Sequence, residues 1–185
     1  MDNVIYQIHV YSPMAFTHQG VATYARRQDG KIPFWPDPSK GWTRDYIRNA
    51  VKQVRIFQEK HKCRIYVGEF SAVGYAPGAN QWIRDAIAVF EEYGRDWTYH
   101  AFREWAGWSV EHEADDPAAE HPVKYHRVTD SPRKQALLEG FHVYLFCENN
   151  PGICRAVRRE LRWLLPLASA RGAHARLALR LAGVS

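Results

Sequence analysis

Three short stretches hold side chains able to do chemistry. "YVGEFS" sets a lone carboxylate, Glu69, behind a glycine at the end of an apolar run. "IHVYSP" places His9 and Tyr11 two residues apart, hence on one face of a strand, since side chains alternate with period two. "WTYHAFREWAGW" gathers His100, Trp105 and Trp108. A carboxylate at a strand tip can serve as nucleophile or general base, or can pair with a cation. His9 and Tyr11 can hydrogen-bond that carboxylate or a sugar hydroxyl. The indoles of Trp35, Trp42, Trp105 and Trp108 can stack on the flat faces of pyranose rings.

The elements that must position these groups are legible from periodicity. "VIYQIHVY", residues 4–11, is β-branched and aromatic, and Ser12-Pro13 ends it as a strand. A stretch of about thirty residues rich in Gly, Pro and aromatics follows, long enough to suggest a binding loop or lid. Thr43 is a good N-cap for a helix to about His61, with Tyr46, Ala50, Val54 and Phe57 as its apolar stripe. A strand at 64–69 leads to a second helix, 81–93, with Ile83, Ala86, Ile87 and Phe90 inside and Gly94 beyond its end. "DWTYHAFREW" reads as a third strand, "EHEADDPAAEHP" as a solvated acidic loop, and Asp130 or Ser131 as the cap of a short helix to about Gly140.

Strand and helix therefore alternate three times over residues 4–141, which predicts an α/β fold of parallel strands joined by right-handed crossovers. In such folds the carboxyl ends of the strands build the site. All three predicted strands end in polar or aromatic groups: His9 and Tyr11, Glu69, and His100 to Trp105.

Composition bounds the rest. The 185 residues suffice for one ordinary domain with a real core, and 46% are hydrophobic, which fits a globular chain. No apolar run approaches the roughly 18 residues a membrane span needs, and no secretory signal is expected at the N-terminus. Cys63, Cys147 and Cys154 make no disulfide framework and have no zinc spacing. "HEADD" has metal-capable side chains without H-E-x-x-H spacing, and no nucleotide-binding glycine motif or serine-nucleophile elbow occurs. No metal or cofactor is expected.

The net charge of +5 is wholly in the tail: residues 142–185 hold seven Arg, no Lys and two Glu, while 1–141 sum to zero. That tail interleaves Arg with Leu and Ala and lacks the aromatic spacing of single-strand binders, so nucleic acid is not the expected partner. "HVYLFC" reads as a fourth short strand and 153–182 as helix. The composition shift suggests an appended or out-of-frame extension, giving a division at 1–141 and 142–185.

"IHVYSP" with "FTHQG", then "YVGEFS", then "WTYHAFREWAGWSVEHE", resembles the closing portion of the family 5 glycoside hydrolases, cellulase-type (β/α)8 (TIM) barrels. The resemblance implies that His9 and Tyr11 end the sixth strand, that Glu69 is the nucleophile ending the seventh, and that an aromatic ends the eighth. His100 stands where a Trp is expected, and Trp105, or Trp108 a little further on, can supply the ring; Trp105 is favoured. By this resemblance the chain is a retaining O-glycoside hydrolase of β-glucans or related β-glycosides. Its partner is then a β-linked oligo- or polysaccharide.

Retaining enzymes need a second carboxylate, about 5–5.5 Å from the first, as acid/base. In the family it ends the fourth strand after an Asn, and the chain starts at what resembles strand six. Glu104, Glu111 and Glu113 follow the eighth strand and do not match that position. The expectation is a partial, half-type TIM barrel with low or no activity. If "HVYLFC" is a strand, two chains could close eight strands as a homodimer or assemble further. The alternative is a non-catalytic carbohydrate-binding or self-associating half-barrel.

Overall fold

A computed structural model describes residues 4–101, 103–118 and 124–149, the last eight by backbone alone. The described residues up to Gly140 form one compact unit. Its centre is a three-stranded parallel sheet in the order β1 (Ile5–Val10), β2 (Arg64–Phe70), β3 (Asp96–Trp97). α1 (Met14–Thr17), α2 (Arg44–Ala50) and α3 (Lys52–His61) lie between β1 and β2, and α4 (Ala79–Glu92) between β2 and β3. The chain is thus α/β with parallel strands.

The core lies between the sheet and α4. Ile83, Ala86, Ile87 and Phe90 are buried as the periodicity predicts, joined by Trp82 and Val89. Phe70, fully buried on β2, meets the rings of Phe90, Trp97 and Tyr99 edge-on at 5.1, 5.5 and 5.6 Å. Burying such a side chain stabilises by roughly 1.5–3 kcal/mol, so this cluster holds the middle strand in place. Gly94 takes φ +60 just past α4, the left-handed turn that ends a helix.

Several sequence expectations are corrected. The helix after Thr43 breaks at Val51 into α2 and α3. Its inward residues are Ile47 and Val51, spaced one turn apart, whereas Tyr46, Ala50 and Phe57 are exposed and Val54 half-buried. The third strand is only two residues by ladder geometry. Its line nevertheless continues, because Thr98 N–H donates to Val67 O at 2.9 Å and His100 N–H to Phe70 O at 3.2 Å.

The acidic loop contains β4 (His112–Ala114), paired antiparallel with β5 (Tyr125–Arg127). Glu111 beside it is bound by Arg103 at 2.6 Å. The expected strand at 142–147 is helical: α5 runs Pro132–Asn149. Ser131 Oγ caps it by accepting from Lys134 N–H at 3.1 Å. Gly140 does not end this helix. A Cβ there would press on Ile87 and Trp97, so its bareness lets α5 close against the core. Val143 is the only β-branched residue in "HVYLFC", which leaves little to oppose continuation. A closed dimeric barrel of four strands per chain loses its fourth strand. The expected helix at 153–182 lies outside the described residues.

The long segment after β1 packs inward rather than standing off as a lid. Phe16, Thr17, Gln19 and Trp35 are all buried. Trp35 Nε1 donates to Asp85 Oδ2 at 3.0 Å, and Arg44 Nε and Nη2 donate to Asp85 Oδ1 at 2.9 and 2.8 Å. This satisfied network fastens the segment to α4.

Candidate active site

Gly68 explains how Glu69 reaches the site. Along β2, Ile65 and Val67 are buried on one face, and an unbroken strand would send residue 69 the same way. The pairing with β1 shifts between Ile8 and His9: Ile8 lies opposite Val67, but His9 lies opposite Glu69. Gly68 is the extra residue of this bulge, and the phase changes there, so that Phe70 is buried and Glu69 is turned away from the core. The place a Cβ would occupy on Gly68 is filled by the Gln7 side chain. Only glycine fits without moving Gln7.

Glu69 then sits at the carboxyl end of the middle strand with a side chain one third exposed, at 33%. Tyr11, just past β1, donates its hydroxyl to Glu69 Oε2 at 2.8 Å. His9 Nδ1 lies 3.3 Å from the same oxygen, and His9 Nε2 is 2.8 Å from Gln7 Nε2. On the other side of Tyr11, His100 Nδ1 approaches the phenolic oxygen at 3.1 Å, and His100 Nε2 lies 3.0 Å from Glu104 Oε2. Burial first, and the hydrogen bond to Glu69 next, push the Tyr11 phenol well above its ordinary range. Tyr11 is therefore a protonated donor at all ordinary pH.

Aromatic rings frame this line. His18 meets Tyr11 edge-on at 4.9 Å and Trp108 at 5.0 Å. Thr17 Oγ1 donates to Tyr11 O at 2.6 Å and lies 2.9 Å from His18 Nδ1, fixing both. Burial, and then the nearby His100, lower the His18 pKa and so favour its neutral form. Trp108 also lies 6.3 Å from Tyr11 and 6.4 Å from His100, and Trp105 stands edge-on to Trp108 at 5.3 Å with 38% of its surface exposed.

The structure thus brings His9, Tyr11, Glu69, His100 and Trp108 together and sets Trp105 on their rim. Of the two indoles, Trp108 makes the ring contacts to Tyr11 and His100, although Trp105 was favoured for that place. Trp35 and Trp42 are not part of the group. Both are buried in the core, Trp35 against Phe16 and Asp85, and Trp42 beneath Lys40, whose amine is 4.6 Å from the ring centroid.

Sequence reasoning missed three residues. His18 was visible inside "FTHQG", but a lone His gives no period or spacing to mark it. Glu104 is defined only through His100. Arg133, buried on α5, donates to the carbonyls of Ser109 at 2.7 Å, His112 at 2.9 Å and Trp108 at 3.1 Å, and so anchors the loop that carries Trp105 and Trp108. Among the described residues, no group of three or more His, Cys, Asp or Glu is arranged to hold a metal ion, and no helix is long and apolar enough to cross a membrane.

Parallel strands with intervening helices, and polar groups converging on the strands' carboxyl edge, define an α/β chain whose candidate site lies at its strand ends. Comparison with known proteins is consistent with that class. No family model matches the chain. Endoglucanase C of Acetivibrio thermocellus is 27% identical over 125 residues, covering 53% of this chain and 36% of its own. Endoglucanase 3 of Fibrobacter succinogenes is 42% identical over 65 residues, covering 28% of this chain and 9% of its own.

Thermotoga maritima Cel5A, solved with cellobiose, superposes with TM-score 0.55 at 21% identity, covering 74% of this chain and 40% of that one. A further structure of that endoglucanase gives TM-score 0.50 at 26% identity, covering 60% and 35%. The chain spans about a third of the length of the first curated relatives it matches. It is similar, in sequence and in structure, to a part of the cellulase-type family 5 glycoside hydrolases.

Proposed function

We propose that the chain carries the nucleophile half of a retaining β-glycosidase site of the cellulase type, built on a partial TIM barrel and acting on β-glucans or related β-glycosides. The observation that carries this reading is the placement of Glu69 by the Gly68 bulge, with Tyr11 donating to Oε2 at 2.8 Å and His9 on the same oxygen. The likeness to endoglucanases supports the substrate class. One Glu69 oxygen would form a bond to the anomeric carbon while the aglycone departs with the bonding electron pair. Trp108 and Trp105 would bound the sugar face. His9, at the edge, reaches either Glu69 or a sugar hydroxyl.

An ordinary aglycone also needs a proton. Glu111 is unsuited to supply it, because the hydrogen bond from Arg103, helped by Arg127, holds its carboxyl below the usual range. Turnover of ordinary glycosides by the isolated polypeptide is therefore low, since general-acid assistance typically contributes about 10²–10⁴-fold. A dinitrophenyl β-cellobioside needs no such proton and is the substrate of choice. Release of dinitrophenolate that disappears in Glu69→Gln supports the reading, and release unchanged by that substitution removes it.

A second reading, a non-catalytic carbohydrate-binding or self-associating half-barrel, is favoured by β1. It pairs on one side only among the described strands, and Val4 and Ile5 at its start are 44% and 58% exposed. An unpaired apolar edge of this kind invites another chain. Light scattering and native mass spectrometry separate the alternatives: assembly without dinitrophenolate release supports the second, and a monomer releasing it supports the first.

A further inference from the structure

We propose that His100 is a positioning residue for Glu69, acting through Tyr11: its Nδ1–H donates to Tyr11 Oη and commits the single phenolic proton to Glu69 Oε2. This rests on the reading of Glu69 as nucleophile. Tyr11 Oη touches two groups, Glu69 Oε2 at 2.8 Å and His100 Nδ1 at 3.1 Å, but has one proton to give. A bare Nδ1 would compete with the carboxylate for that proton. A protonated Nδ1 instead donates into a phenol lone pair and polarises the O–H toward Glu69, where the bond is charge-assisted.

The far side of the ring agrees. Nε2 lies 3.0 Å from Glu104 Oε2, a carboxylate whose side chain is 67% exposed. The ring thus stands in one continuous line from Glu104 through Tyr11 to Glu69. The charged or titratable groups facing it are Tyr11 from the end of β1, with Glu69 beyond it, His18 from the end of α1, and Glu104 on its own loop. Both ring nitrogens are engaged in this line, as a group that orients the nucleophile requires.

The direct test is the protonation of the His100 ring in the full chain, read by long-range ¹⁵N–¹H correlation on imidazole-labelled protein at neutral pH and assigned with His100→Phe. A protonated Nδ1 whose signal moves in Tyr11→Phe is expected. A neutral ring protonated only at Nε2 overturns the proposal, whether or not the chain turns anything over.

A second readout is the rate at which a dinitrophenyl deoxyfluoro-β-cellobioside labels Glu69, followed by mass spectrometry. In that step Glu69 oxygen bonds to the anomeric carbon and dinitrophenolate leaves with the electron pair. His100→Asn, which keeps an N–H near the Nδ1 position, should label within about threefold of the parent, and His100→Phe should label about tenfold more slowly, the effect of one hydrogen bond. Equal rates in parent, Asn and Phe variants contradict the proposal. Label that persists in Glu69→Gln instead removes the nucleophile reading, while the ring protonation still reports on His100.

Discussion

Tyr11 Oη donates to Glu69 Oε2 at 2.8 Å, joining the carboxyl ends of two adjacent parallel strands across 58 residues of sequence. The phenol is raised from its ordinary value of 10.0 by burial and then by Glu69. An unfolded chain releases this proton near pH 10 and the folded one keeps it, so the stability Tyr11 contributes is complete below that pH and falls as pH rises above it. Tyr125 and Tyr75, raised chiefly by burial, act with the same sign. Urea denaturation from about pH 9 to 11 should show stability declining, and declining less steeply in Tyr11→Phe, by up to about 1.4 kcal/mol per pH unit. Identical slopes would show that Tyr11 is not held this way.

Arg133 ties α5 to the loop carrying Trp105 and Trp108. Replacement by Met removes the guanidinium from the Ser109, His112 and Trp108 carbonyls and should cost on the order of 3 kcal/mol, although Trp108 O keeps the Tyr99 hydroxyl at 2.8 Å and Ser109 O the His112 N–H at 3.4 Å. Near-ultraviolet circular dichroism should report loosened indoles together with the drop in denaturation midpoint. A variant as stable as the parent would contradict the anchoring role.

Gly78 and Gly30 offer a matched pair. Both are left-handed, at φ +87 and +72, but a Cβ on Gly78 would fall against the Trp35 carbonyl oxygen, whereas one on Gly30 meets nothing within 4 Å. Gly30→Ala should cost only the left-handed strain, about 1–2 kcal/mol. Gly78→Ala should cost clearly more, because backbone must move. Equal midpoints in thermal unfolding would count against this packing.

Trp105 is exposed at the rim, so its removal should spare the fold. Trp105→Ala should weaken binding of a cello-oligosaccharide about fivefold in titration calorimetry, on the order of 1 kcal/mol of ring contact. Unchanged affinity would move the sugar face elsewhere.

Much of this was legible beforehand where periodicity is strong. The α4 stripe of Ile83, Ala86, Ile87 and Phe90 and the parallel β–α alternation follow from spacing alone. The juxtaposition of His9, Tyr11 and Glu69 follows from strand ends. What sequence hid was tertiary. Trp35 reads as a candidate sugar-stacking ring until Asp85, 50 residues on, is seen to satisfy its N–H. "HVYLFC" reads as a strand, but it sits within a helix already started at Pro132 and continued through a packing glycine. In the sequence Gly68 is only the glycine before Glu69, yet it is the bulge that re-aims that carboxylate, a role visible only in the register of two paired strands.

The central claim is that Glu69 is a nucleophile aimed by that bulge. The most direct measurement is trapping: incubation with the dinitrophenyl deoxyfluoro-β-cellobioside, followed by peptide mass mapping and quantitation of released dinitrophenolate. The expected result is one glycosyl adduct on the peptide containing Glu69, lost in Glu69→Gln and slowed in Tyr11→Phe. Dinitrophenolate release at equal rate in the parent and in Glu69→Gln, or an adduct on any other carboxylate, would contradict it.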